Sequence, residues 1–177
     1  MTNISWWENN DLFRSEARIG QKWSERVALD LNKAKINCHT NILEFSKNEN
    51  DRSRFENEQD IILDHMSGCI EVKSRRLKFT SDPNSYPYST AYVDTVMGWD
   101  RKSPKPIAVI LISQITGAKL VVPVSTQHKW KKNTAYDRIR KITETSYVVN
   151  KSELRTFSDL TTWLSSKQMA NEQGKPQ

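Results

Sequence analysis

Helical periodicity is the first strong pattern along the chain. Between residues 11 and 35, apolar residues recur at spacings typical of one helix face: Leu12, Ile19, Trp23, Val27, Ala28 and Leu31. The pattern predicts one long helix, or two that join near Gly20, with this face turned towards the core. Glu25 lies at the margin of the apolar stripe, where its carboxylate could lean over the sheet edge or simply be exposed, and Glu16 is the competing candidate on the same segment.

Short runs of β-forming residues follow the helix. Residues 36–46 predict a first strand, although apolar and polar residues alternate imperfectly along it. Residues 59–64 and 69–75 are rich in Ile, Leu and Val and predict two antiparallel strands, joined by a turn over residues 65–68. Residues 47–58 are polar and charged, which predicts a loop that is either functional or a plain insertion.

Alternation along this hairpin separates aliphatic from ionisable residues. If Asp64 pairs with Cys69, then Asp60, Glu71 and Lys73 share one face. The opposite face then carries only aliphatic side chains: Ile61, Leu63, Ile70 and Val72. A shift of the register by one residue would lose both groupings. The ionisable face is open to two interpretations, a solvated surface with weak cross-strand pairs or a metal site.

The second half of the chain contains a further hairpin. Residues 106–113 form a continuous aliphatic run that predicts a strand covered on both faces, and residues 119–125 predict its partner. Pro123 places that partner at the sheet edge. Residues 89–101 fit either a helix or a strand, and we prefer the helix because it would carry the chain across the sheet.

The C-terminal part predicts one helix near residues 158–164, with Ser158 as its N-cap. The polar residues 165–177 predict a disordered tail. Residues 1–164 are of a length that favours a single domain.

Composition narrows the cellular context and the partner. The net charge of +6 favours a polyanion, although an acidic membrane or protein surface would also suit it. No stretch approaches the roughly 18 consecutive apolar residues of a transmembrane helix, and the N-terminus lacks the pattern of a signal peptide. Cys38 and Cys69, the only cysteines, are expected to be reduced and buried in a cytoplasmic protein.

Two basic clusters suit a nucleic-acid backbone. The first follows the hairpin: Arg75, Arg76 and Lys78. The second, within residues 128–141, places Trp130 and Tyr136 among cations: Lys129, Lys131, Lys132, Arg138 and Arg140. The aromatic side chains could stack on bases, or they could pack inward from a basic surface helix.

The spacing of the acidic residues resembles a known family. Asp60, some ten residues and then Ile70-Glu71-Val72-Lys73 resemble the signature of the PD-(D/E)XK nuclease superfamily, and the second strand is most similar to that of archaeal Holliday-junction resolvases. These enzymes also carry a Glu on the preceding helix after a Gly, which Gly20 and Glu25 match. The resemblance covers roughly residues 18–75. The chain differs from the family at Gln59, where the family often has Pro, and the region after Lys73 shows no match to the resolvases.

The resemblance implies an α/β, restriction-endonuclease-like core with a central mixed sheet of four to five strands flanked by helices. It implies that Mg²⁺, or Mn²⁺ in its place, is held by Asp60, Glu71, Glu25 and the Val72 carbonyl. Lys73 would orient water or stabilise negative charge, as the catalytic lysine beside Asp60, Glu71 and Glu25.

The function expected from these features is a metal-dependent DNA endonuclease. The same face would also serve an exonuclease or a junction-cleaving enzyme. Two other classes stay open: a non-catalytic nucleic-acid-binding protein on the same scaffold and an interaction protein in a larger assembly. A homodimer would suit a small nuclease that cuts two strands, but the sequence does not demonstrate one.

Overall fold

A computed structural model of the chain describes residues 11–43, 59–137 and 141–173. These ranges contain three α-helices: α1 (Asp11–Lys33), α2 (Val96–Arg101) and α3 (Phe157–Gln173). They also contain nine strands: β1 (Cys38–Thr40), β2 (Ile61–Leu63), β3 (Cys69–Arg75), β4 (Thr90–Thr95), β5 (Ala108–Ser113), β6 (Lys119–Pro123), β7 (Lys131–Asp137), β8 (Ile142–Asn150) and β9 (Arg155–Thr156).

The protein has a mixed α/β fold built on a six-stranded mixed sheet, in the order β1-β2-β3-β5-β6-β9. Strands β3 and β5 are parallel, and every other neighbouring pair in this sheet is antiparallel. The expected count of four to five strands was too low, because the two-residue β9 is too short to leave a periodic pattern. A separate three-stranded sheet, β4-β8-β7, was not predicted.

Each face of the main sheet buries its own core. On one face, α1 and α3 cover the aliphatic side chains of β2, β3 and β5, with Val27 of α1 and Leu164 of α3 fully buried. On the other face, the second sheet packs over β5 and β6 around the fully buried Trp99. Burial on both faces explains the continuous aliphatic run of β5.

Helix α1 confirms the predicted helix as one uninterrupted segment through Gly20. The predicted β5–β6 hairpin is also confirmed. Strand β6 is not the edge strand that Pro123 had suggested, because it pairs with β9. This pairing involves only Leu120 and Val121 of β6, so Pro123 lies beyond the paired stretch. A proline at that position removes no ladder hydrogen bond to β9.

The helix preferred over residues 89–101 was wrong for the first half of that segment. Residues Thr90–Thr95 form β4, which pairs with β8, and α2 begins only at Val96. Thr95 is the N-cap, since its Oγ1 accepts a hydrogen bond from the Gly98 N–H at 2.9 Å. The β-branched and aromatic residues before this cap favour a strand.

Two other boundaries differ from the sequence predictions. The first strand is confined to Cys38–Thr40. Residues 44–58, which include the whole of the predicted loop, lie outside the described residues. Helix α3 continues to Gln173, so residues 165–173 are helical and not a disordered tail. Their Lys, Gln, Met, Ala and Glu side chains are good helix formers.

Within the basic segment 128–141, the described residues form neither a single helix nor a single element of another kind. A short 3₁₀ helix ends at Lys129, and β7 then forms a hairpin with β8. No helix in the described part of the chain combines the length and apolar character needed to cross a membrane.

Candidate functional site

The β2–β3 hairpin has a different register from the one predicted. Ile61 pairs with Ile70 and Ile62 with Cys69, a shift of two residues from the expected pairing of Asp64 with Cys69. The shift arises because the connecting loop is wider, closed by a 3.2 Å hydrogen bond from the Leu63 N–H to the Gly68 carbonyl. A shift of two residues conserves the faces, since side chains alternate with a period of two.

Asp60 lies at the start of this hairpin beside β3. Its Oδ2 accepts a hydrogen bond from the Val72 N–H at 2.7 Å. Burial, followed by the nearby charge of Glu71, raises the pKa of Asp60 to about 7. The two carboxyl groups are therefore close enough to interact electrostatically at the sheet surface.

Glu71 is the centre of the site. It is only 7% exposed, and each of its oxygens receives an ammonium group. Lys73 Nζ lies 2.7 Å from Oε1, and Lys102 Nζ lies 2.9 Å from Oε2. Burial by itself would raise the pKa of Glu71, but the two lysines outweigh it and hold the pKa below its usual value. Glu71 is thus a buried carboxylate that stays ionised.

Lys73 bridges two carboxylates. Its Nζ lies 2.7 Å from Glu71 Oε1 and 3.2 Å from Asp94 Oδ2. Burial would lower the pKa of Lys73, yet the surrounding carboxylates raise it above its usual value. The side chain is consequently held as a cation and is unsuited to act as a general base.

Asp94 and Lys102 belong to this cluster, although sequence reasoning missed both. Asp94 is 7% exposed and lies at an irregularity in the β4–β8 pairing, where its Oδ1 accepts a hydrogen bond from the Thr95 N–H at 2.8 Å. Lys102 is the first residue after α2. The sequence did contain a signal for Asp94, because it is an acidic residue inside the β-branched run 90–96. It contained none for Lys102, whose position depends on the path of α2 over the sheet.

Glu25, the predicted helix ligand, is not brought to the cluster. Its exposed carboxylate accepts a hydrogen bond from Gln21 at 3.1 Å and lines a shallow groove on α1. Helix α1 covers the sheet face that carries Ile70 and Val72, whereas Glu71 points to the opposite face. This separation leaves Asp60 and Glu71 as the predicted acidic residues that the structure brings together.

The first basic cluster is less available for phosphates than expected. The Arg75 guanidinium lies 4.6 Å from the centroid of the Tyr92 ring, and its Nε and Nη2 are buried. Arg76 forms an ion pair with Glu16. Lys78 is exposed. Arg75 alternates onto the same face as Glu71 and Lys73, which draws it under the second sheet rather than out to solvent.

The second basic cluster is divided by the 3₁₀ helix and the hairpin. Lys129 Nζ pairs with Glu153 at 3.0 Å, whereas Lys131 and Lys132 are exposed on β7. Arg138 and Arg140 lie outside the described residues. Trp130 packs inward with its ring centroid 4.8 Å from that of Trp99, so it is not a free stacking platform. Tyr136 is 59% exposed.

Scans of the chain against models of protein families, against curated proteins and against solved structures gave no match. The function is therefore inferred from the chemistry of the cluster.

Proposed function

We propose that this protein is a metal-dependent nuclease that hydrolyses phosphodiester bonds in DNA at the Glu71 cluster. The observation that carries the proposal is Glu71 itself, a buried, ionised carboxylate with Asp60 beside it and Lys73 at 2.7 Å. Clusters of buried ionisable groups with shifted pKa values are more frequent at functional sites than elsewhere. The resemblance to the PD-(D/E)XK signature supports the same reaction class.

The donor atoms suit a hard divalent cation. Carboxylate oxygens are the ligands that Mg²⁺ prefers, and one or two of them suffice because the ion keeps several waters. Asp60 and Glu71 would hold it, with Asp94 as a third acidic side chain in the same cluster. When bound, such an ion supplies Lewis acidity, which lowers the pKa of water and neutralises charge on the phosphate.

The residues of the chain have separable roles in this proposal. Lys73, held as a cation by Glu71 and Asp94, directs positive charge to the negative charge that develops on the phosphate during attack. Asp94 positions Lys73 through a second ion pair, in which Asp94 Oδ2 lies 3.2 Å from Lys73 Nζ. The Val72 N–H fixes the Asp60 carboxylate in the direction of the cluster.

The β7–β8 hairpin supports a nucleic-acid substrate. Residues 131–136 of β7 are all exposed, and they include Lys131 and Lys132. The seven residues of β7 span about 24 Å, and the major groove of B-form DNA admits a two-stranded β-ribbon. The net charge of +6 adds the long-range attraction that phosphate binding needs.

A second function is favoured by a specific observation. Lysines contact both oxygens of Glu71. Although Asp60, Glu71 and Asp94 are neighbours, no three acidic, histidine or cysteine side chains of the described residues converge closely enough to hold an ion. The same scaffold would then bind nucleic acid without cutting it, and the Glu71 cluster would be a structural ion-pair network.

Cleavage assays separate the two functions. Purified protein and its Glu71→Gln variant are incubated with supercoiled, linear, single-stranded and branched DNA in Mg²⁺, Mn²⁺ or EDTA. We expect cutting that requires the metal and is lost in E71Q. Binding of DNA without cutting under every condition would favour the second function, and cutting of RNA alone would refute the DNA assignment but keep the chemistry.

A further inference from the structure

Two ammonium groups bridge the same pair of carboxylates. Lys73 Nζ lies 2.7 Å from Glu71 and 3.2 Å from Asp94, and Lys102 Nζ lies 2.9 Å and 3.8 Å from the same two residues. Two negative and two positive charges therefore balance without any further ion. Asp60 adds a third carboxyl group next to this balanced set.

The two lysines differ in how firmly the fold holds them. Lys73 lies within β3 and pairs with Leu111 of the adjacent parallel strand. Lys102 follows the last residue of α2, between the exposed Arg101 and Ser103. A lysine ammonium is a compact point charge on a flexible four-carbon stem. Lys102 can thus leave Glu71 by side-chain rotation, without any change in the sheet.

We propose that Lys102 occupies the position of a divalent cation on Glu71 and competes with the metal for that carboxylate. The inference rests on the proposed metal-dependent function. The Lys102 ammonium lies 2.9 Å from Glu71 Oε2 while Lys73 lies 2.7 Å from Oε1, so each carboxylate oxygen already has a cationic partner. Lys102 must therefore move away before a metal ion can bind Glu71. When no metal is bound, the Lys102 ammonium compensates the buried Glu71 carboxylate, which would be costly to leave unpaired.

Competition predicts that neutralising Lys102 strengthens metal binding. Removal of one positive charge a few ångströms from the ion should increase affinity by roughly tenfold, the order expected for a close, partly solvated charge pair. A structural role for Lys102 predicts the opposite, since loss of its ion pairs would disorder Glu71 and weaken binding.

The test is Mn²⁺ binding measured by electron paramagnetic resonance, without DNA. Wild type, Lys102→Gln and Glu71→Gln are compared with Lys105→Gln, which removes the same charge three residues further along. The Lys105 ammonium binds the Trp99 carbonyl and no carboxylate of the cluster, so K105Q controls for net charge. Should K102Q fail to fold, K102M gives the same readout.

We expect tighter binding in K102Q by roughly tenfold, affinity within about twofold of wild type in K105Q, and strong loss in E71Q. Equal or weaker binding in K102Q, with wild type and E71Q as expected, would overturn the inference alone. Absence of Mn²⁺ binding in wild type, or wild-type binding in E71Q, would instead refute the metal site and with it the proposed function.

Discussion

At the scale of single residues, the cluster combines one carboxyl that is costly to ionise with one that is easily ionised. Asp60 is desolvated and lies beside Glu71, whereas Glu71 is compensated by two lysines. Binding sites often contain such unfavourably placed charged groups, which lower the stability of the ligand-free protein. The bound ligand then supplies the opposite charge that the group lacks.

Asp60→Asn should therefore stabilise the metal-free protein at high pH. The pKa of Asp60 rises from 3.8 in a free side chain to about 7 in the fold, so the cost is complete above pH 7 and disappears as the pH falls towards 4. Asn can still accept the Val72 N–H hydrogen bond. Urea denaturation in EDTA should show D60N more stable at pH 8 by about 1–2 kcal/mol, with a smaller difference at pH 5.

The exposed Asp64 on the same hairpin provides the control, because D64N removes only a surface ion pair with His39 and should change stability by less than about 1 kcal/mol. A D60N variant less stable than wild type at pH 8, or a difference independent of pH, would contradict this assignment.

At the scale of elements, alternation predicted which residues share a face, while the loop decided the register. The sequence placed Asp60, Glu71 and Lys73 on one side of the hairpin, and the two-residue shift did not change that side. Asp94 could not be predicted in the same way, because it comes from β4 of the second sheet, which carried no pairing signal. Long-range contacts of this kind depend on the packing of whole elements.

The β7–β8 hairpin gives an element-scale prediction. Replacing Lys131 and Lys132 by Ala should weaken binding to duplex DNA and reduce the slope of log affinity against log salt by about 2, since each phosphate contact contributes roughly 0.9. Fluorescence anisotropy at several salt concentrations measures this slope.

A double variant of the exposed Lys22 and Lys167, on α1 and α3, removes the same charge from the helices. Its salt slope should stay close to that of wild type. An equal reduction of the slope in both double variants would mean that net charge, and not the hairpin, binds the DNA.

At the scale of the whole molecule, β5 joins the two cores. Ile110 faces the helices and Leu111 faces the second sheet, and both are fully buried. The sequence predicted this strand and its burial on both faces from one aliphatic run. It could not indicate that a second sheet covers the other face, because β4 is separated from the β7–β8 hairpin along the chain by α2, β5 and β6.

Shared use of β5 predicts a single unfolding transition. Ile110→Ala and Leu111→Ala should each lower the free energy of unfolding by about 2–5 kcal/mol, whereas Leu29→Ala, at a site 51% exposed, should have little effect. Unfolding is followed by circular dichroism, which reports the helices, and by tryptophan fluorescence, to which Trp99 and Trp130 contribute together with Trp23 and Trp163 on the helices. Two separate transitions would show that the cores fold independently.

The measurement that tests the central claim most directly is single-turnover cleavage by Lys73→Ala. Lys73 contributes positive charge to the reacting phosphate in our account, so K73A should cut DNA in Mg²⁺ at least about 100-fold more slowly than wild type. Its affinity for DNA should stay within about threefold, because the hairpin supplies the binding contacts. Lys167→Ala, on the surface of α3, should cut at the wild-type rate. Cleavage by K73A at the wild-type rate, or cleavage by wild type in EDTA, would contradict the proposed nuclease site.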